Sequence, residues 1–198
     1  MPETQPTSSG WIRGIAVALL LTGTLLFFYR YFSPKPDWET IRTSAVEQYN
    51  LGNLDEAERL LVSALKVAGY FSEKDARLHQ SLRDLIEFYT LQSKFSEAEP
   101  VILRLIALDE KLLGPDHPNV AASLNNLAEN YRVRGEVEKA NTAYQKSLAI
   151  MEKKFGTEHE LVAHIKEGYH RFLREAGKPL PGAPPPGADS TPGTGNTP

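Results

Sequence analysis

A spacing of about 42 residues constrains this chain more than any other feature. The segments YNLGNLDEAERLLVSAL (49–65), YTLQSKFSEAEPVILRLI (89–106) and YRVRGEVEKANTAYQKSL (131–148) share one plan, with small residues at Ala57, Ala98 and Ala140. The turns agree with it: GPDHP at Gly114 and GTEHE at Gly156 keep the interval, and so do His117 and His159. A period of this size, with apolar residues recurring three or four apart and no alternation of period two, predicts stacked helical hairpins.

Each residue type has a physical task in such a stack. Where two antiparallel helices cross closely, a small side chain is needed on each, and Ala45, Ala57, Ala98, Ala128 and Ala140 provide it. Leu82, Leu85, Tyr89, Ile102, Leu124, Leu127, Tyr131, Tyr144 and Leu148 are the expected filling between hairpins. Gly52 and Gly135 stand where a first helix must end in a left-handed residue, and Ser93 breaks that rule in the middle repeat. Asp55/Glu58 and Ser96/Glu99 have capping-box spacing at the starts of second helices, and Pro118 suits a first helical turn. Tyr49 lies one residue later relative to Gly52 than Tyr131 does relative to Gly135, so the first repeat is the least regular.

With LGPDHPNVAASLNNLAENYRVRGEVEKANTAYQKSLAI as its cleanest copy, the pattern resembles the tetratricopeptide repeat, in the 42-residue variety of kinesin light chains. The resemblance implies an all-α fold, an α-solenoid of three hairpins over about Trp38 to Phe155. A C-terminal capping helix follows, with Leu161, Val162, Ile165, Tyr169, Phe172, Leu173 and Ala176 on one face and mostly charged residues on the other.

The flanks differ in composition. Residues 1–10 are polar and aperiodic, which reads as a disordered tail. Residues 11–32 contain an uncharged run, GIAVALLLTGTLLFFY, that at ~1.5 Å per residue covers roughly 24 Å, against a hydrocarbon core of about 30 Å. Arg13 and Arg30 can snorkel, and Trp11, Tyr29 and Tyr31 suit the two interfaces, so a single transmembrane helix is expected here. A cleaved signal would need a small-residue site, which FFYRYFSPKPD lacks, and a buried core helix would need a polar face. Residues 33–37 (SPKPD) form a linker and residues 38–177 the repeat domain, while residues 178–198, half proline and glycine, read as a disordered tail. Lys and Arg are nearly balanced across the span, leaning toward a cytoplasmic carboxyl-terminal domain, whereas a short tail, one anchor and a larger domain favour export. The expected place is a bacterial inner membrane with the repeat domain exported.

Composition removes several function classes. The net charge of -3, from 22 basic and 25 acidic residues, supplies no global positive field for nucleic acid. Without cysteine, thiolate metal sites and cysteine nucleophiles are excluded. HELVAH (159–164) approaches the zinc-protease HExxH motif, but five helical steps of ~100° leave its two imidazoles ~140° apart. His159 reads instead as a turn residue repeating His117. No nucleophile elbow or phosphate loop occurs. No enzyme, cofactor or metal site is expected.

Binding is the function the resemblance implies, in the concave groove lined by the first helix of each hairpin. The candidate partner-binding residues are Arg42, Arg83, Glu87, Asn125, Asn126, Glu129 and Arg132, flanked by Val46, Tyr49, Asn50, Asp84, Thr90 and Arg171. In the kinesin-light-chain-like class the asparagines of LNNLA face the groove, where an amide both donates to and accepts from an extended backbone. Asn125 and Asn126 match, and the earlier repeats carry Arg42, Thr43, Arg83 and Asp84 instead. A chaperone-type carboxylate clamp is disfavoured, because Val46, Asp84, Ala122 and Asn126 occupy most of its places. The expected function is a membrane-anchored scaffold for other proteins or peptide segments, and the alternative is a self-associating assembly protein without a separate ligand.

Overall fold

A computed structural model describes residues 37–181. The expected amino-terminal tail, the membrane segment 11–32, most of the linker and the final tail from residue 182 lie outside the described residues. Among the described residues no helix is long and apolar enough to cross a membrane.

These residues form seven helices and no strand: α1 (Trp38–Asn50), α2 (Leu54–Ala68), α3 (Ala76–Leu91), α4 (Phe95–Leu113), α5 (Pro118–Val133), α6 (Val137–Phe155) and α7 (Glu160–Glu175). Each packs on the next, giving three hairpins followed by a lone helix. The five alanines expected at the helix crossings are at most 1% exposed, so the backbones approach as closely as a methyl group allows. Between them Leu82, Leu85, Ile102, Tyr131 and Tyr144 fill the core.

The hairpin turns share one conformation. Gly52, Ser93 and Gly135 have φ of 79°, 56° and 73°, and the amides that follow them, of Asn53, Lys94 and Glu136, donate back to the carbonyls of Gln48, Tyr89 and Tyr131. Ser93 is the sole non-glycine with positive φ among the described residues, so the middle turn is built at a steric cost the other two avoid. His117 and His159 are the N-caps of α5 and α7, where Nδ1 accepts from the amides of Asn119 (3.1 Å) and Leu161 (3.2 Å). Pro118 begins α5 as expected.

The expected capping boxes are absent. The N-caps of α2 and α4 are Asn53 and Lys94, neither with a side-chain capping bond, because both helices start before Asp55 and Ser96. Glu58 and Glu99 reach instead across to the next hairpin. Glu58 accepts from Tyr89 Oη (3.2 Å) and Lys94 Nζ (2.5 Å), and Glu99 accepts from Tyr131 Oη (2.8 Å) and from Arg134. Each pair buckles one repeat to its successor. Burial and the facing carboxylate push the Tyr89 and Tyr131 phenols up to about 12, and Arg134 draws the Glu99 carboxyl below its ordinary value.

Among the described residues the irregular first repeat is the outermost of the array. With Gly52 aligned to Ser93 and Gly135, the positions of Leu85/Leu127 and Tyr89/Tyr131 are held in α1 by Ser44 and Gln48. No earlier hairpin among the described residues offers a glutamate, and Gln48 accepts from Asn53 Nδ2 at 2.8 Å instead. Tyr49, displaced by one residue, turns its ring to Phe88 of α3 at 6.1 Å. At the other end the chain continues past Gly177, where Lys178 pairs with Glu138 of α6 at 2.7 Å and Leu180 packs against the core.

Candidate functional site

The odd-numbered helices line one face, and two adjoining hollows run between them. The larger, about 710 Å³, lies between α3 and α5 over a floor from α4 made by Phe95, Ile102 and Leu105. Its α3 wall carries Arg83, Glu87, Thr90 and Leu91, and its α5 wall carries Asn119, Ser123, Asn126, Glu129 and Val133. The smaller, about 230 Å³, lies between α1 and α3 and is lined by Arg42, Val46, Tyr49, Asp84, Glu87 and Leu91. Glu87 and Leu91 belong to both hollows, so the two form one continuous groove.

Of the seven residues expected to bind a partner, Arg83, Glu87, Asn126 and Glu129 line the larger hollow, and Arg42 with Glu87 lines the smaller. Asn125 and Arg132 line neither. Their electrostatic states differ. Arg42 donates to Asp84 at 2.6 Å, a bond that holds its guanidinium above its ordinary pKa, and Gln80 donates to the same carboxylate at 2.7 Å. Glu129 accepts from Tyr144 Oη (2.5 Å) and Arg132 Nε (2.8 Å), with Arg171 4.0 Å away. Arg132 extends this network to Glu175 of α7 at 3.0 Å. Burial, then the Glu129 bond, drives the Tyr144 phenol well above its usual range.

Leu91 and Val133 escape a reading that searches only for polar groups, and they join Val46, already expected in the groove. Val46, Leu91 and Val133 are exposed by 49%, 60% and 50%, yet they sit inside the groove rather than in the core. Leu91 and Val133 are 42 apart, the same position of successive repeats, and that recurrence is the sequence signal that could have found them. Single exposed apolar residues are ordinary, but three lining one groove form an apolar strip available to a ligand.

A third hollow at the start of α3 adjoins the larger one through Arg83 and Asn119 and is further lined by Lys74, His79 and Gln80. Behind it His79 Nε2 meets the fully buried Asp109 of α4 at 2.9 Å, and Asp109 Oδ2 has no partner among the described residues. Among the same residues no group of three His, Asp or Glu side chains could hold a metal ion.

The comparisons with known proteins address the repeat itself. Residues 77–153 match the tetratricopeptide repeat. That span runs from the start of α3 nearly to the end of α6 and therefore includes both walls of the larger hollow. Among solved structures, the chain is similar to a Podosopora anserina protein described as a kinesin light chain with nearly identical TPR-like repeats. The match has 23% identity and a TM-score of 0.57, over 71% of this chain and 67% of that one. A single-substitution form of the same protein gives 20% identity and a TM-score of 0.62, over 82% and 79%. BtubC (BKLC) from P. vanneervenii gives 20% identity and a TM-score of 0.59, over 82% of this chain and 66% of its own length. At these identities the likeness is one of fold. No curated protein sequence matches.

Proposed function

We propose that the chain is a scaffold that holds segments of partner proteins in the groove of its tetratricopeptide repeats, tethered to a membrane through residues 11–32. The observation that carries this reading is the groove between α3 and α5, which combines an apolar strip with charged and amide side chains still open to a ligand. Such a surface suits an extended chain, whose side chains bury on the strip while its backbone pairs with amides such as that of Asn126. Tethering rests on the apolar run Gly14–Tyr29 and its arginine and aromatic flanks. Export of the repeat domain across a bacterial inner membrane remains our assignment of sidedness.

Self-association by stacking hairpin on hairpin is the weaker reading. A copy stacking on α1 would meet Ser44 and Gln48 at the positions where internal junctions bury leucine and tyrosine.

Affinity capture from crosslinked native membranes, with the full chain and its Leu91→Asp/Val133→Asp variant in parallel, tests the groove. A defined set of partners present with the wild type and lost with the variant is the expected result. The same set retained by a folded variant overturns the reading. Reporter fusions after Phe32 and after Gly177 test sidedness, both reporting the exported side if the assignment holds.

A further inference from the structure

The groove's α3 wall has an order that points to the chemistry of its ligand. Arg83, Glu87 and Leu91 are spaced i, i+4, i+8, all exposed and all lining the larger hollow. Four helical residues rise about 6 Å, so the three side chains are set in steps of that length along α3. In an extended segment, side chains on one face recur every second residue, at about 6.6 Å. The two spacings stay in register over three positions.

The charges along this stripe are open. Asp84 is neutralised by Arg42, and Glu129 by Arg132 with Tyr144 and Arg171. Arg83 and Glu87 form no ion pair among the described residues, although they stand one turn apart on the same helix. Beyond Glu87 the stripe ends on Leu91, with Val133 facing it from α5 and Val46 from the adjoining hollow. A ligand therefore meets, in order, a cation, an anion and an apolar strip.

We propose that the groove selects an extended segment whose alternate residues are acidic, basic and large apolar, read in that order by Arg83, Glu87 and Leu91. The inference rests on the groove being the binding surface. Coulomb attraction at both charged positions favours one alignment, and a segment shifted by one step places like charges together at one of them. The apolar residue buries against Leu91 and Val133, and Asn126 on the opposite wall offers its amide to the segment's backbone.

The test is selection of a random-peptide phage library against the full chain in mild detergent, and in parallel against its Glu87→Lys variant. Glu87 is exposed, so the variant keeps the fold, checked by an unchanged thermal melt. Wild type is expected to enrich acidic-x-basic-x-apolar peptides. Glu87→Lys is expected to switch the central preference to Asp or Glu and to weaken the original peptides about tenfold or more. Enriched peptides without this order, or an order untouched by Glu87→Lys, overturn the proposal while leaving the groove as the binding surface. If wild type enriches no peptide, the proposal fails, and the partner capture with the Leu91→Asp/Val133→Asp variant then shows whether the groove reading fails with it.

Discussion

The α3/α5 and α5/α7 junctions are built from corresponding positions of successive repeats, yet one is open and the other is sealed. At the first, Glu87 and Leu91 stand free on α3 and face Asn126 and Val133. At the second, their counterparts 42 residues on are Glu129 and Val133, opposed on α7 by Arg171 and Glu175. Glu129, Arg132, Tyr144, Arg171 and Glu175 join across the gap. Gly168 stands beside them, where an added Cβ would come 3.7 Å from Glu129 Oε1. A shared scaffold thus leaves an open groove where charges are left over and forms a cap where they are spent.

The largest effect expected from breaking this contrast is at Glu129. Glu129→Ala strands the buried Tyr144 hydroxyl and releases Arg132, and should cost ~2–3 kcal/mol in urea unfolding. Glu87→Ala, one repeat earlier, should stay within about 0.5 kcal/mol. Equal losses at the two sites would erase the distinction between cap and groove.

Next comes the buckle that holds the open junction from behind. Tyr131→Phe removes the bond to Glu99 and should cost roughly 1–2 kcal/mol at neutral pH. The folded phenol at about 12 lies above its unfolded value near 10, so the neutral form is favoured by folding. Its stability is fully present below pH 10 and is lost as pH rises from about 10 to 12. Measured across that window, Tyr131→Phe should lose less stability than the wild type does. At the acid end the sign reverses for Glu99, whose lowered carboxyl contributes fully above its unfolded value and loses that contribution as pH falls from there through its lower folded value.

Two substitutions with smaller effects should add stability. Gly168→Ala inserts a methyl group into ordinary contact space within α7, and should raise stability by ~0.5–1 kcal/mol while tightening the sealed junction. Ser93→Gly relieves the middle turn and should add about 0.5–1 kcal/mol without altering the groove. A loss at either position in thermal unfolding would contradict the local geometry.

The period, the crossing alanines and the glycine turns were legible because each is a local steric demand that recurs at a fixed interval. The groove was only partly so. Arg83, Glu87 and Asn126 follow from their place on first helices, but whether a charge is free depends on which neighbour reaches it from another repeat. Arg132 and Glu129 look as available as Arg83 and Glu87 in sequence, and only their distances to Tyr144 and Glu175 separate them. Leu91 and Val133 pass for ordinary apolar residues at helix ends, since periodicity does not say which apolar residues stay exposed. Glu58 and Glu99 mimic capping boxes because an acid near a helix start fits two roles, and the partner tyrosine lies over thirty residues away.

Photo-crosslinking separates entry of partners into the open junction from entry into the sealed one. A photoreactive residue is placed at Thr90 on α3 or at Arg174, the same repeat position on α7, in the full chain in native membranes. Crosslinks from position 90 with none from position 174 are the predicted result. Crosslinks from 174 with none from 90 would contradict it.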